Sequence, residues 1–156
     1  MYTPDHINGS ENQTEISRSV AALIDFYKAF NNQNMTLMSD NWLHSSSSIM
    51  SNPLGGVKHG WDEIESVYKN IFYGNVRVFV EFYDFEIVES ESMFFAAGRE
   101  RGHLTVNGKS IDLKIRTSRI FNKHNNKWKQ IHHHGSIDEP DLLASYQNII
   151  LNTKKD

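Results

Sequence analysis

The stretch that decides the fold covers residues 111–138 and reads IDLKIRTSRIF, NKHNN, KWKQIHHHGSID. Its two outer parts alternate in the manner of β-strands, and the polar middle predicts a tight turn between them. Alternation in the first strand places one charged residue among apolar neighbours on a single face: Leu113, Ile115, Thr117, Arg119 and Phe121. Because burying an unpaired charge is costly, Arg119 needs a partner there. The pattern leaves two partners open, a ligand in a pocket or a buried carboxylate.

The composition is that of one globular domain without a nucleic-acid partner. The chain has 156 residues, of which 38% are hydrophobic and 22% charged, and its formal net charge is -3. Basic residues are scattered apart from the pair Lys154 and Lys155, so the positive surface of a nucleic-acid binder is missing. No apolar run is long enough to span a bilayer, so no membrane partner is expected. The lack of cysteine fits a reducing compartment, and we expect a soluble, cytoplasmic protein.

The periodicity of apolar residues divides the chain into helices followed by strands. It predicts a long amphipathic helix over residues 14–32 with Thr14 as its N-cap, a short helix over 35–41 and another helix over 61–72. Strands are predicted over residues 76–88 and 93–103, ahead of the two strands quoted above, and Asn107-Gly108 marks a hairpin turn. A last helix is expected after Pro140.

Helices that precede a run of antiparallel strands predict the α+β fold class. We expect a cone-shaped, curved antiparallel or mixed sheet wrapped around the long N-terminal helix. Residues 1–13 are polar and are predicted to form a flexible N-terminal lead, residues 14–138 the cone domain, and residues 139–156 a C-terminal helical extension. The space inside such a cone is the natural place for a small-molecule ligand.

The order of these elements resembles the nuclear transport factor 2-like superfamily, which includes SnoaL-like proteins, ketosteroid isomerase and scytalone dehydratase. Within it, the stretch RTSRIFNKHNNKWKQIHHHGS is similar to the end of the association domain of calcium/calmodulin-dependent protein kinase II. The resemblance covers residues 14–138. It implies pocket arginines at Arg99 and Arg119, and it places Gly135 where the association domain carries a further arginine.

The resemblance also implies that ketosteroid isomerase chemistry is absent. That enzyme uses a carboxylate base together with an oxyanion hole formed by a tyrosine and a protonated aspartate. The corresponding positions here are occupied by Asn52 for the base, Phe26 for the tyrosine and Thr117 for the aspartate. None of these three residues can take over the role of the residue it replaces. Whether the protein is an enzyme therefore stays open, with His133 as a weak candidate for a general acid or base.

Three consecutive histidines suggest a metal site, which we weigh against sheet packing. His132 and His134 lie two apart on one strand face and could reach one ion, but no third ligand is evident. We therefore expect no metal and no other cofactor. Side chains alternate along a strand, so Gly135 shares its face with the odd-numbered residues and not with His132 and His134. If Gly135 replaces a pocket arginine, this odd-numbered face is the one that borders the pocket. That face carries three residues: Lys129, Ile131 and His133.

The candidate ligand-binding residues combine both arginines with polar and aromatic side chains: Tyr27, Trp42, Asn52, Trp61, Arg99, Thr117, Arg119 and His133. Arg99 enters this set because its strand repeats the pattern around Arg119. The residues that share its face are apolar: Met93, Phe95 and Ala97. Two such arginines favour a site for an anionic or strongly polar group.

Each of these candidates has a plainer alternative. The arginines could each pair with a buried acid such as Asp25 or Glu81, because single ion pairs are a common structural use of arginine. The aromatic residues could simply pack in the core. Asn52 precedes Pro53 and could be a turn former.

We therefore predict a small-molecule-binding domain whose hydrophobic cone pocket holds a carboxylate- or carbonyl-bearing ligand on its arginines. One alternative is an enzyme, an isomerase, cyclase or dehydratase that acts on a small hydrophobic carbonyl compound. Another is a module that only oligomerises. A homodimer is expected as well, because apolar residues occupy both faces of the strand predicted at residues 76–88, more than one cone interior can hide.

Overall fold

The computed structural model describes residues 1–152 of the chain. Within them the chain forms four α-helices and one sheet of seven β-strands. The helices are α1 (Arg18–Asn31), α2 (Met35–Asn41), α3 (Gly60–Phe72) and α4 (Pro140–Asn152). The strands are β1 (His6–Ile7), β2 (Ile49–Ser51), β3 (Lys58–His59), β4 (Arg77–Glu89), β5 (Met93–Val106), β6 (Lys109–His124) and β7 (Lys127–Ser136). The basic pair Lys154 and Lys155 lies outside the described residues.

The sheet is mixed, with the strand order β1-β4-β5-β6-β7-β2-β3. The long strands β4 to β7 form an antiparallel meander. β2 then pairs with β7 in parallel, which brings the first half of the chain beside the last strand. The sheet curls without closing on itself. The predicted α+β class with a curved, mixed sheet is confirmed.

A β-bulge in β4 contributes to the curl. The register against β5 shifts between Tyr83 and Glu86, and Asp84 within this bulge has a φ of 50°. Bulges bend a strand and increase its twist. Gly98 lies opposite, where an added Cβ would be only 2.5 Å from the Cβ of Phe85. Glycine is therefore required for the two strands to approach so closely.

Helix α1 packs its apolar side against the concave face of the sheet. It begins after Ser17, whose Oγ accepts a hydrogen bond from the N–H of Val20 at 3.2 Å. The predicted N-cap at Thr14 is wrong, because Glu15 has a φ of 65° and interrupts the helical path. Four residues of the inner side are fully buried: Leu23, Ile24, Tyr27 and Ala29. None of the four described helices combines the length and the apolar character that crossing a lipid bilayer would require.

The N-terminal segment is packed where it meets β4. His6 and Ile7 pair with Tyr83 and Phe82, and Ile7 is fully buried. The predicted flexible lead over residues 1–13 is wrong at these positions. Burial of the branched aliphatic side chain of Ile7 explains the difference, because it fixes an otherwise polar segment to the sheet edge.

The alternation that the sequence predicts for β6 is confirmed. All five residues of the predicted inner face are buried: Leu113, Ile115, Thr117, Arg119 and Phe121. The convex face of the sheet is different, because large apolar side chains remain exposed there, among them Phe79 and Phe95. The concave face therefore holds the core and the candidate site.

Candidate functional site

The concave face of the sheet and helices α1, α3 and α4 surround a narrow cavity of about 40 Å³. Much of its wall is apolar and comes from Phe26 and Phe30 of α1, Ile71 of α3, and Val78 and Val80 of β4. Polar groups reach the same cavity from six residues: Asn52, Tyr68, Glu100, Arg119, His133 and Tyr146. Apolar walls with a few converging polar groups are typical of a small-molecule site.

A buried ion pair forms part of the cavity wall. Arg119 Nη2 lies 3.1 Å from Glu100 Oε2, and the two side chains are 3% and 5% exposed. Each charge compensates the other, and neither side chain could be buried without such a partner, because an uncompensated buried charge is strongly destabilising. The buried carboxylate that the sequence left open as a partner for Arg119 is confirmed. It is Glu100 and neither Asp25 nor Glu81, since Glu81 pairs instead with Arg101.

Two successive aromatic residues of α1 hold this ion pair. The Tyr27 O–H donates to Glu100 Oε2 at 2.6 Å, and the guanidinium carbon of Arg119 lies 3.6 Å from the centre of the Phe26 ring. Burial, followed by the charge of Glu100, raises the pKa of Tyr27, so its hydroxyl stays a donor. Burial alone would lower the pKa of Arg119, but the negative charge of Glu100 raises it above its ordinary value. Tyr27 is not among the residues that border the cavity, so it supports Glu100 from behind.

A chain of hydrogen bonds connects Arg119 to helices α1 and α2. Arg119 Nη1 donates to Gln130 Oε1 at 2.9 Å, and Gln130 Nε2 donates to Asn41 Oδ1 at 3.0 Å. Asn41 Nδ2 in turn donates to the backbone carbonyl of Ala22 at 3.0 Å. A buried polar network whose members are satisfied fixes the orientation of each side chain. The guanidinium is therefore held in one position at the cavity.

A second bulge lets Gln130 and His133 face the core together. Ile131 is an extra residue in β7 without a counterpart in β6. A bulge of this kind moves the alternation of side chains by one position. Gln130 and His133 are consequently both buried, although they are three residues apart. The predicted pocket face is therefore wrong for Lys129 and Ile131, which lie before or at the bulge.

His133 borders the cavity and forms a hydrogen bond with Thr117. Its Nε2 lies 2.7 Å from Thr117 Oγ1, and both residues are buried. Burial, followed by the positive charge of Arg119, lowers the pKa of His133 well below its ordinary value, so the ring is neutral at neutral pH. Gly135 leaves room for the ring, since an added Cβ would lie 3.0 Å from Nε2. Thr117 does not border the cavity but holds the imidazole that does.

A loop and the last helix close the cavity. Asn52 borders it and also forms a turn, since its Oδ1 accepts from the N–H of Leu54 at 3.1 Å. Helix α4 adds Tyr146 to the wall. The neighbouring Gln147 Nε2 donates to the carbonyl of Pro53 at 2.9 Å, which joins α4 to the loop. The segment predicted as a C-terminal extension therefore takes part in the site.

Arg99 does not share this cavity. Its side chain is 62% exposed, and its Nε lies 3.0 Å from Asp84 Oδ2. The residue lies on the convex face of β5, while its neighbour Glu100 points inward. The predicted common cavity of Arg99 and Arg119 is therefore wrong. The reason is that β5 carries apolar residues on both faces, so alternation groups Arg99 with Phe95 but does not show which face is concave.

The two tryptophans among the candidate residues pack in the core and do not border the cavity. Trp42 lies against Tyr68, with ring centres 6.3 Å apart. Trp61 stacks on His44 with ring centres 4.7 Å apart. The prediction that Trp42 and Trp61 form pocket walls is wrong, and the plainer alternative of core packing is confirmed.

His132 and His134 lie outside the cavity and serve other contacts. His132 Nδ1 lies 2.9 Å from the carbonyl oxygen of Ile49, and His134 is exposed. Across residues 1–152, no three or more His, Cys, Asp or Glu side chains are grouped so that they could hold a metal ion.

Sequence reasoning missed Glu100, Gln130 and Tyr146. Glu100 shares its face of β5 with the buried Phe94 and Leu104, so the opposite choice of inner face would have found it. Gln130 is missed because the bulge at Ile131 shifts the alternation of β7, so that the pattern assigns Gln130 to the outer face. Tyr146 lies on the apolar side of a predicted helix, but no local pattern shows where that helix packs.

Comparison with known proteins agrees with this architecture. The SnoaL-like domain family matches residues 20–139. No curated protein matches the chain. Several solved structures share the fold at low sequence identity.

Three of these structures illustrate the likeness. A nuclear transport factor 2-like superfamily protein from Salmonella enterica is 17% identical with a TM-score of 0.67, and the alignment covers 74% of this chain and 85% of that one. A ketosteroid isomerase-like protein from Erwinia carotovora is 20% identical with a TM-score of 0.66, and the alignment covers 83% of this chain and 100% of that one. The third is a protein from Xanthomonas campestris that is described as a calcium/calmodulin dependent protein kinase II association domain. It is 21% identical with a TM-score of 0.67, and the alignment covers 89% of this chain and 99% of that one. These identities show a shared fold, while the family match spans most of the chain, and the protein therefore belongs to the SnoaL-like domain family.

Proposed function

We propose that the protein binds a small carbonyl-bearing molecule inside the cavity, with Arg119 as one of its hydrogen-bond donors. The observation that carries the proposal is the buried ion pair of Arg119 and Glu100 in the wall of a largely apolar cavity. Membership of the SnoaL-like family supports the proposal, because a sheet that curls around a helix leaves an internal space of the kind in which small molecules bind.

Arg119 keeps hydrogen-bond donors for a ligand. A guanidinium carries five N–H groups. Within the described residues each of its nitrogens makes one contact, with Tyr27, Gln130 or Glu100. Tyr68 also interacts with the guanidinium, so the protein engages at most four of the five N–H groups and at least one remains for a ligand oxygen.

The ion pair favours a neutral carbonyl group over a carboxylate. Glu100 already balances the charge of Arg119, so a ligand carboxylate would add a second negative charge to the cavity. Two like charges about 4 Å apart repel by about 4 kcal/mol at the effective dielectric constant of a protein surface. A carbonyl oxygen accepts the same hydrogen bonds without this repulsion. Of the two ligand groups that the sequence predicts, the carbonyl is the one we retain.

The size of the cavity requires a wall to move when a ligand enters. About 40 Å³ holds a few water molecules, whereas a cavity of about 150 Å³ is needed for a single benzene ring. Helix α4 buries only Tyr146 and Ile150, while α1 buries eight residues. Displacing α4 therefore exposes less apolar surface than displacing α1. We infer that ligands enter by displacing α4.

Native mass spectrometry of the purified protein tests this function. We expect a bound small molecule that is retained in the Arg99→Met variant and lost in Arg119→Met. Arg119→Lys adds a test that keeps the charge but removes the planar fork of donors, and it should also weaken binding. Equal occupancy in all four proteins would contradict a ligand contact by Arg119.

A second candidate function is an enzyme that acts on a small hydrophobic carbonyl compound. The observation that favours it is Glu100, a carboxylate at the cavity that lies outside the three positions of the isomerase machinery. Both hydrogen bonds that its carboxylate accepts within residues 1–152 are made to Oε2, so Oε1 remains for a proton transfer. Deuterium exchange at the α-carbon of cyclopentanone in D₂O should then exceed the buffer rate and vanish in Glu100→Gln. Exchange at the buffer rate would leave binding as the function.

We also propose that two copies pair through the convex face of the sheet. Large apolar residues on this face are exposed: Phe79 by 37%, Val88 by 55%, Met93 by 45% and Phe95 by 39%. Val88 and Phe95 are cross-strand neighbours, so they form one patch. Light scattering at micromolar concentration should show a dimer, and a strict monomer would contradict the proposal.

A further inference from the structure

His133 is buried with part of its hydrogen-bonding capacity unused. The residue is 6% exposed, and its Nδ1 has no hydrogen-bond partner in residues 1–152. Leaving a buried polar atom without a partner costs about 1–3 kcal/mol. Because His133 borders the cavity, a molecule bound there could supply the missing partner.

Only one of the two ring nitrogens carries a proton at neutral pH. Burial, the charge of Arg119 and the adjacent His132 and His134 all lower the pKa of His133, so the imidazole is neutral. One nitrogen is therefore a donor and the other an acceptor. Which nitrogen is the donor decides what kind of ligand atom can meet Nδ1.

The hydrogen bond to Thr117 selects the protonated nitrogen. Thr117 Oγ1 makes no other hydrogen bond within the described residues. If Nε2–H donates to Thr117 Oγ1, the hydroxyl hydrogen and the Nδ1 lone pair both lack partners. If the Thr117 O–H donates to Nε2, only Nδ1–H lacks a partner. The second arrangement leaves fewer unsatisfied groups, so it is the favoured one.

We propose that His133 presents its Nδ1–H to the cavity as a neutral donor and that the bound molecule accepts it with a carbonyl oxygen. The ligand part of this inference rests on the proposed function, and it adds a second donor beside Arg119. A carbonyl oxygen has two lone pairs and can accept from both. Thr117 acts as a positioning residue, because it sets the tautomer without bordering the cavity.

The tautomer is measured in the ligand-free protein by ¹⁵N NMR of the histidine ring nitrogens. We expect Nδ1 to be the protonated nitrogen of His133 in the unmodified protein and in Thr117→Ser, which keeps the hydroxyl. Thr117→Val removes the hydroxyl at nearly the same volume, and the Nδ1–H preference should be lost. A protonated Nε2 in the unmodified protein would overturn the inference whatever the ligand is.

The ligand class is measured with two probes of the same shape. Cyclopentanone carries a carbonyl oxygen, and methylenecyclopentane carries a CH₂ group in its place. We expect the ketone to bind more tightly, and this preference should shrink about twofold to tenfold in His133→Phe, which keeps a ring but removes the donor. An unchanged preference in His133→Phe would overturn the contact. Failure of both probes to bind would contradict the proposed function, whereas the tautomer result would stand on its own.

Discussion

Replacing Arg119 with methionine should destabilise the protein far more than the same replacement at Arg99. Methionine keeps an apolar stem but removes the charge, so Glu100 would remain buried with Tyr27 as its donor. Arg99 is a matched control, because it lies on the neighbouring strand and pairs with a single carboxylate at a similar distance of 3.0 Å. The difference is that its ion pair is exposed.

The magnitude follows from burial. Breaking a buried ion pair by removing one partner costs about 3–5 kcal/mol, and an exposed pair contributes about 0–1 kcal/mol. Arg119→Met should therefore raise the unfolding equilibrium constant by roughly a hundredfold to several thousandfold. It also loses the 2.9 Å hydrogen bond to Gln130 and the contact with the Phe26 ring. Arg99→Met should change stability by about 1 kcal/mol or less.

Urea unfolding at pH 7, followed by circular dichroism, measures both variants. The double variant Arg119→Met/Glu100→Gln should recover part of the loss, because it removes the uncompensated carboxylate. Similar small losses in Arg119→Met and Arg99→Met would refute the reasoning, since the cost would then not depend on burial. So would a double variant less stable than Arg119→Met alone.

Other properties of the protein give three further predictions. The pKa of His133 in the folded protein lies below its value of about 6.5 in the unfolded chain. The stability that this difference contributes is therefore fully present above about pH 6.5 and is lost as the pH falls toward the folded pKa. The loss is at most about 1.4 kcal/mol per pH unit. Urea titrations should show this slope in the unmodified protein and not in His133→Phe, and equal slopes would contradict the buried neutral ring. Tyr146→Ala should speed the uptake of cyclopentanone in stopped-flow measurements, because it removes the side chain that α4 places in the wall; an unchanged rate would argue against entry by way of α4. Phe95→Glu should weaken dimerisation in sedimentation experiments, while Val57→Glu, at an exposed loop position, should not; equal effects would place the interface elsewhere.

Much of the fold is predictable from the sequence because strand alternation reflects burial directly. The inner face predicted for β6 is the buried face, including Arg119. The two bulges are not predictable in this way. An extra residue such as Ile131 shifts the alternation by one position without changing the composition, and this is why Lys129 is assigned to the wrong face.

The candidate site is predictable only in part. Alternation identifies Arg119 as a buried charge that needs a partner, but the partner comes from another strand, and its identity depends on which face of β5 is concave. Because β5 carries apolar residues on both faces, the pattern assigns Arg99 to the cavity and Glu100 to the outside, whereas Glu100 is the buried partner of Arg119 and Arg99 is exposed. The resemblance to a known family predicts His133 beside the pocket, whereas its hydrogen bond to Thr117 depends on the register of β6 and β7 and is not predictable from it.

A crystal structure of the protein soaked in cyclopentanone tests the central claim most directly. We expect the ketone inside the cone, with its oxygen within about 3.2 Å of a nitrogen of Arg119 or His133 and with α4 displaced outward. A cavity that holds only water while the ketone binds elsewhere on the molecule would contradict the account.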